Sequence, residues 1–306
     1  MADAKRDGHQ GDVWLQTKME GCGNALDPSW MADGVRIARG SCKEDTKTVF
    51  RSSLRELNVD RVDSTLLHSP PCVAGASWVQ GCFGPGDVYP NRCDCKAAEP
   101  CRMMRQQWRA LEEVYAEGLT RSIGVSNYCQ ACLQVRVAWL GSAWLGLDWL
   151  ALLCLLTPLL SVCCVCAWQC LLDDPDLTVT PHINQLLLHA GMPGSDPEGL
   201  ISFSTQHNIR VQAYRPLAQG NGVGSLLRDE TLKSIGRAHG KTSAQVALRW
   251  VLQLGHSLTT TTENVRHMSS DLEVFDFELS VEEMGLLERL DTVPDEPSIM
   301  CHHPPS

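Results

Sequence analysis

Leu119-Thr120-Arg121-Ser122-Ile123-Gly124-Val125-Ser126-Asn127 is the stretch that decides the fold. It is a short apolar strand that stops abruptly at Ser126-Asn127, so two hydrogen-bonding side chains stand at a strand's C-terminal end. In a barrel of parallel strands that end carries the chemistry. Working outward, short apolar runs bounded by turn residues alternate with longer segments of helical period, the pattern of βα units around a parallel sheet. The candidate strands are Val13–Lys18, Ser64–Ser69, Arg121–Asn127, His182–His189, Ile209–Arg215 and Ser257–Thr262, six in all.

Between them, Thr46–Leu57 sets Val49, Phe50, Leu54 and Leu57 on one helical face. Cys101–Leu119 does the same with Met104, Trp108, Leu111, Tyr115 and Leu119, and both read as outer-ring helices. Thr242–Leu254 starts at a Thr-Ser cap, and Ser280-x-x-Glu283 ahead of Met284, Leu287 and Leu290 is a capping box that opens an amphipathic helix. Pro70 to Pro100, rich in Gly, Pro, Cys and Asn, reads as a long loop of the kind that covers a site.

At 306 residues the chain is long enough for an α/β barrel of about 250 residues, and a single barrel domain across 1–306 is expected. The charge of −10, from 26 basic and 36 acidic side chains with no basic cluster beyond Lys5-Arg6, argues against nucleic acid as a partner. The N-terminus lacks the apolar core of a secretory signal, so a cytoplasmic location is expected. Fifteen cysteines, an odd number in a chain without such a signal, point to reduced thiols. Cys93-x-Cys95 with Cys101, and Cys129-x-x-Cys132, have spacings that zinc uses, but no second pair of ligands follows either of them, and no metal site is expected.

Residues 137 to 172 interrupt the pattern, with Asp148 as their one charge and four tryptophans and five cysteines among leucines and valines. Residues 149–172 carry no charge over 24 positions, long enough to cross a bilayer with Trp149 and Trp168 at its interfaces. Yet the segment lies between Ser126-Asn127 and Asn184-Gln185, which a barrel must set on neighbouring strands. It reads as an insertion without selected structure, such as a translated intron. A self-associating hairpin and a membrane anchor are the competing readings.

The motif Ile123-Gly124-Val125-Ser126-Asn127 resembles the signature of the aldo-keto reductases, and the resemblance extends over about residues 12–136 and 173–291. It implies a (β/α)8 TIM barrel, here incomplete, with six of eight strands identifiable, and a monomer that uses NADP, with NAD as the second choice, on a small-molecule carbonyl substrate. Val13-Trp14-Leu15-Gln16-Thr17-Lys18 resembles the strand that delivers the family's catalytic lysine, and Asp63-Ser64-Thr65-Leu66-Leu67-His68-Ser69-Pro70 the strand that delivers its histidine. The resemblance implies that Ser126, Asn127 and Gln185 bind the nicotinamide carboxamide and that the Tyr214 ring stacks on the nicotinamide. Arg215 stands where the family usually has Ser and could pair with a phosphate bidentately. Leu217, in the turn that follows, is grouped with the cofactor contacts. Thr261 and Thr262 fall at the usual Lys-Ser of the 2′-phosphate site, with His267 near the usual arginine and Arg266 one position away.

The implied chemistry is hydride transfer to a carbonyl carbon while a tyrosine gives the oxygen a proton. Lys18 would lower that tyrosine's pKa and His68 would orient the carbonyl. The family's tyrosine and its aspartate partner lie upstream of the lysine strand. Only 17 residues precede Lys18 and none is tyrosine; the four tyrosines present are 89, 115, 128 and 214. A truncated barrel with little or no reductase turnover is therefore expected, with two alternatives beside it: a non-catalytic nucleotide-binding descendant, and a protein anchored to a membrane through residues 149–172.

Overall fold

The computed structural model describes residues 13–19, 41–68, 70, 98–128, 170–192, 194–196, 199–218 and 221–290. Six strands form one parallel sheet in chain order: β1 (Gln16–Met19), β2 (Ser64–Leu67), β3 (Ile123–Ser126), β4 (Ile183–Leu187), β5 (Arg210–Tyr214) and β6 (Ser257–Thr259). β2 and β3 are buried along their whole length, as strands covered on both faces must be. Between β3 and β4 the fit leaves room for glycine alone: a Cβ on Gly124 would meet the Ile183 carbonyl oxygen at 2.5 Å and Leu66 Cδ2 at 2.8 Å.

The sheet curls. Gln185 on β4 donates through Nε2 to Gln16 Oε1 on β1 at 3.2 Å, although β2 and β3 lie between them. In a flat sheet those strands would be about 14 Å apart. Curvature of the barrel type brings them together, and the sheet is an incomplete barrel whose end strands, β1 and β6, do not pair with each other.

The helices cover the outside. α1 (Cys42–Glu56) begins at Ser41, which accepts from the Glu44 amide. It packs on α2 (Ala98–Ala116), and the ion pairs Lys43–Glu113, Lys47–Glu113 and Arg51–Glu117 border the contact. After a 3-10 turn at Leu171–Asp173 come α3 (Leu200–Gln206), α4 (Asn221–Arg228), α5 (Glu230–His239), α6 (Ser243–Gln253), α7 (Val265–Leu272) and α8 (Val281–Glu288). One apolar cluster joins β1–β5 to α1, α2 and α3 around Phe50, Trp108 and Leu67; a second joins β5 to α5, α6 and α8 around Trp250, Leu232 and Leu287.

All six expected strands form, each shorter than its apolar run. The helix expected over Cys101–Leu119 starts at Ala98 with Pro100 in its first turn, where a missing N–H is harmless, and ends before Gly118, whose φ of 75° turns the chain. The cap expected at Thr242 forms, and with Gln245 it is a full capping box; the capping box expected at Ser280 forms as well. Helices α3, α4, α5 and α7 were not anticipated. The expectation of reduced thiols fails at Cys42, which is disulfide-bonded, and holds for Cys101 and Cys170. Most of the loop read over Pro70–Pro100 and most of the apolar segment 137–172 lie outside the described residues, as do Cys93, Cys95, Cys129 and Cys132. The last three residues of that segment, Cys170 to Leu172, pack into the first apolar cluster. Among the described residues no helix is long and apolar enough to cross a membrane.

Candidate functional site

Parallel register lines up the strand ends. Ser126 pairs with Gln185, Gln185 with Gln212, and Gln212 with Ser257, so these four share one row across β3 to β6. His68 follows Leu67, the partner of Val125, which sets it level with Ser126. Tyr214 and Thr259 form the next row outward.

Asn127 is the hub. Its backbone is left-handed, with φ 60°, a conformation asparagine tolerates better than other non-glycine residues, and its N–H donates to the Gln185 carbonyl at 2.9 Å. Its Nδ2 donates to the His68 carbonyl at 3.0 Å and to Ser126 Oγ at 3.1 Å, while its Oδ1 accepts from the Tyr214 hydroxyl at 2.7 Å. One side chain thus ties together the ends of β2, β3 and β5. The neighbouring Asn184 donates to the Tyr128 carbonyl at 2.8 Å and fixes the turn after β3 from the opposite face of β4.

The Tyr214 ring has two cationic neighbours, the Lys18 ammonium and the Arg215 guanidinium, each 5.8 Å from the ring centroid. Arg215 is exposed and left-handed at φ 51°. Leu217 is half-buried and leans on the second apolar cluster. Beneath this layer lies a polar network absent from the sequence reading: Gln185 Nε2 donates to both Gln16 and Gln212, and Gln16 Nε2 donates to Ser64 Oγ at 3.3 Å. Gln185 Oε1 is buried and has no hydrogen-bond partner, an arrangement that costs about 1–3 kcal/mol unless something donates to it. A period-2 reading would have found this layer, because Gln16 lies two positions before Lys18 and Gln212 two before Tyr214, so each faces the same side as the residue that was recognised.

Lys18, His68, Ser126, Asn127, Gln185, Tyr214 and Arg215 therefore converge at one end of the curled sheet. Thr261, Thr262, Arg266 and His267 follow β6 on the loop and first turn of α7; Thr261, Arg266 and His267 are exposed and Thr262 is half-buried. There Thr262 Oγ1 accepts from the Asn264 amide at 3.1 Å, and Asn264 caps α7 through the Arg266 amide at 3.0 Å. Of the described tyrosines, Tyr115 lies on α2 with its ring 5.5 Å from that of His182, and Tyr128 is fully buried in the first apolar cluster. Tyr89 lies outside the described residues.

A model of the Aldo/keto reductase family matches residues 2–139 and 178–292. Among curated relatives, an aldo-keto reductase of Mycobacterium marinum is 30% identical over 258 residues, covering 84% of this chain and 63% of that protein. One of Mycobacterium avium is 42% identical over 116 residues, covering 38% of each. The chain thus spans 38% of the length of the second and 63% of the first. Among solved structures, an aldo-keto reductase from a Medee basin deep-sea metagenome library superimposes with a TM-score of 0.60 at 20% identity, covering 94% of this chain and 74% of that one. An aldo/keto reductase from Brucella melitensis does so with a TM-score of 0.59 at 23% identity, covering 95% and 79%. At such identities the structures speak to the fold, and the match is to a barrel.

Proposed function

The chain belongs to the aldo/keto reductase family, and from that premise we propose that its strand ends bind a nicotinamide dinucleotide, NADP ahead of NAD, as an oxidoreductase acting on the carbonyl of a small aldehyde or ketone. The observation that carries this reading is the Asn127 hub, with the ring of Tyr214, the end of β2 at His68 and the buried acceptor Gln185 Oε1 gathered around it.

The residues present fit the cofactor. Gln185 Oε1 lacks a donor, and a carboxamide N–H₂ is a donor of the kind it needs. Ser126 Oγ already accepts from Asn127 and retains acceptor capacity beside it. Tyr214 is held by its hydroxyl, which fixes the tilt of the ring on which the nicotinamide would stack. Arg215, Thr261, Thr262, Arg266 and His267 supply cations and hydroxyls for the phosphates, and Arg215 can do so bidentately. When bound, the cofactor supplies a hydride.

The chain's own residues would then position a carbonyl beside it. His68, at the end of β2, would orient the carbonyl oxygen, and Lys18 contributes a positive charge on the same side as Tyr214. Of the other described tyrosines, Tyr115 lies on α2 beside His182 and Tyr128 is buried in the first apolar cluster. Tyr214 already donates its proton to Asn127. That engagement of the one tyrosine at the strand ends among the described residues favours a second reading, a nucleotide-binding descendant in which the dinucleotide is held and reduction of simple aldehydes is slow or nil.

A fluorescence titration of the purified chain with NADPH and NADH tests both. Saturable binding, tighter for NADPH and weakened about tenfold by Gln185→Leu, is the expected outcome. Absence of saturation with either dinucleotide would remove the cofactor assignment. In the same samples, rapid consumption of NADPH with a simple aldehyde would reject the non-catalytic reading.

A further inference from the structure

Away from the strand ends, Cys101 on α2 and Cys170, which precedes the Leu171–Asp173 turn, hydrogen-bond thiol to thiol inside the first apolar cluster. They are 3% and 0% exposed, so only a small reagent, or a brief opening of the contact, reaches them. A built polar edge surrounds the pair. One turn after Cys101, Arg105 has its Nε buried without a hydrogen-bond acceptor, 3.8 Å from Asp174 Oδ2. Another turn on, Arg109 donates to Asp174 Oδ2 at 2.8 Å and to Glu112 at 2.8 Å, and Glu112 Oε1 accepts the amides of Thr178 and Val179. Successive turns of α2 thus grip the segment that leads into β4, and the two thiols form the deepest contact of that grip.

We propose that Cys101 and Cys170 form a redox-modification site, a dithiol that closes to a reversible disulfide under a small hydroperoxide, with Cys101 as the attacking sulfur. The hydrogen bond from Cys170, opposed by burial and aided by the Arg105 guanidinium, holds the Cys101 thiol below its usual range. The same hydrogen bond, and then burial, pushes the Cys170 thiol up. The Cys101 thiolate attacks one peroxide oxygen; the O–O bond breaks, an alcohol leaves after taking up a proton, and Cys101 becomes a sulfenic acid. Cys170 then attacks that sulfur and gives its proton to the hydroxyl, the S–O bond breaks and water departs. Two thiols and one hydroperoxide become one disulfide, one alcohol and one water; the sulfurs are oxidised and the peroxide oxygens reduced. Two thiols are too few to hold a structural zinc ion, and among the described residues no cluster of metal-ligating side chains surrounds them.

The test is disulfide mapping of the intact chain. Reduced protein is treated with a small alkyl hydroperoxide, its remaining thiols are alkylated, and it is digested without reductant and analysed by mass spectrometry. A peptide pair linked through Cys101 and Cys170, lost again with dithiothreitol, is the expected result. Recovery of the two cysteines alkylated separately, or joined to other cysteines, overturns the proposal. Cys170→Ser should leave Cys101 trapped as a sulfenic acid that a dimedone probe labels, and Arg105→Gln should slow closure about tenfold; an unchanged rate in the latter overturns the choice of Cys101 as attacker. Should either variant fail to fold, the mapping of the unsubstituted chain still decides. The closed form should melt about 5 °C higher than the reduced form, because the bond restricts the unfolded chain.

Discussion

Asn127 does two jobs that alanine can do neither of. It holds a left-handed backbone at φ 60° and links His68, Ser126 and Tyr214 through its amide. Asn127→Ala is expected to destabilise the chain by about 3 kcal/mol, from the backbone penalty and the lost hydrogen bonds, and to loosen NADPH about tenfold as Tyr214 loses its tether. Urea denaturation and the fluorescence titration report the two effects separately. His189 makes a different prediction: it is fully buried, its Nδ1 accepts from the Gly191 amide, and burial lowers its pKa to about 4. An unfolded histidine takes its proton near pH 6.5. Between those values the unfolded chain holds one proton more than the folded one, so stability is full above pH 6.5 and falls by about 3 kcal/mol on acidification to pH 4. Denaturation curves at several pH values should show this, and an NMR titration should find His189 neutral at pH 5. Residues of this kind differ in how far the sequence reveals them. Asn127 was legible because it ends a recognisable motif, whereas Gln16 and Gln212 were not, because a glutamine in a short strand looks like any solvated polar residue until register places it opposite Gln185.

Among elements, the β3–β4 seam is the most exacting. A Cβ at position 124 would overlap the Ile183 carbonyl, and Gly124→Ala must push β4 away from β3. That separates Ser126 and Asn127 from Gln185, so the substitution is expected to cost about 1–3 kcal/mol and to weaken NADPH binding; thermal melts with and without NADPH would check both. The strands were legible as apolar runs bounded by turns, and the capped helices α6 and α8 as Thr-Ser and Ser-x-x-Glu signals. The others hid for identifiable reasons. Helix α7 buries none of its residues, so no apolar face against a core announces it. α3 has only seven residues, and α4 carries Gly222 and Gly224. α5 was bracketed in the sequence by Asp229 as N-cap and Gly240 as left-handed C-cap, a start and stop pair that a stricter reading would have used.

At the scale of the whole molecule, the alternation of strands and helices made the barrel architecture readable, and the family match and structural neighbours agree with it. What alternation could not show is curvature, which appears only when Gln16 and Gln185 meet across two intervening strands. Among the described residues β1 and β6 are the two ends of the sheet, and α7, just beyond β6, turns Val265 and Leu272 outward at 72% and 73% exposure. Unpaired edges beside apolar surface favour association, so the purified chain is expected to self-associate increasingly with concentration in sedimentation velocity. A single small species throughout would show that the edges are covered. β1 is half-buried and β6 largely exposed, and among the described residues no strand pairing closes the flank between them. Among the described residues, then, water has a sideways path into the glutamine layer as well as one over the rim, and a hydride delivered at these strand ends would be delivered in a wet chamber.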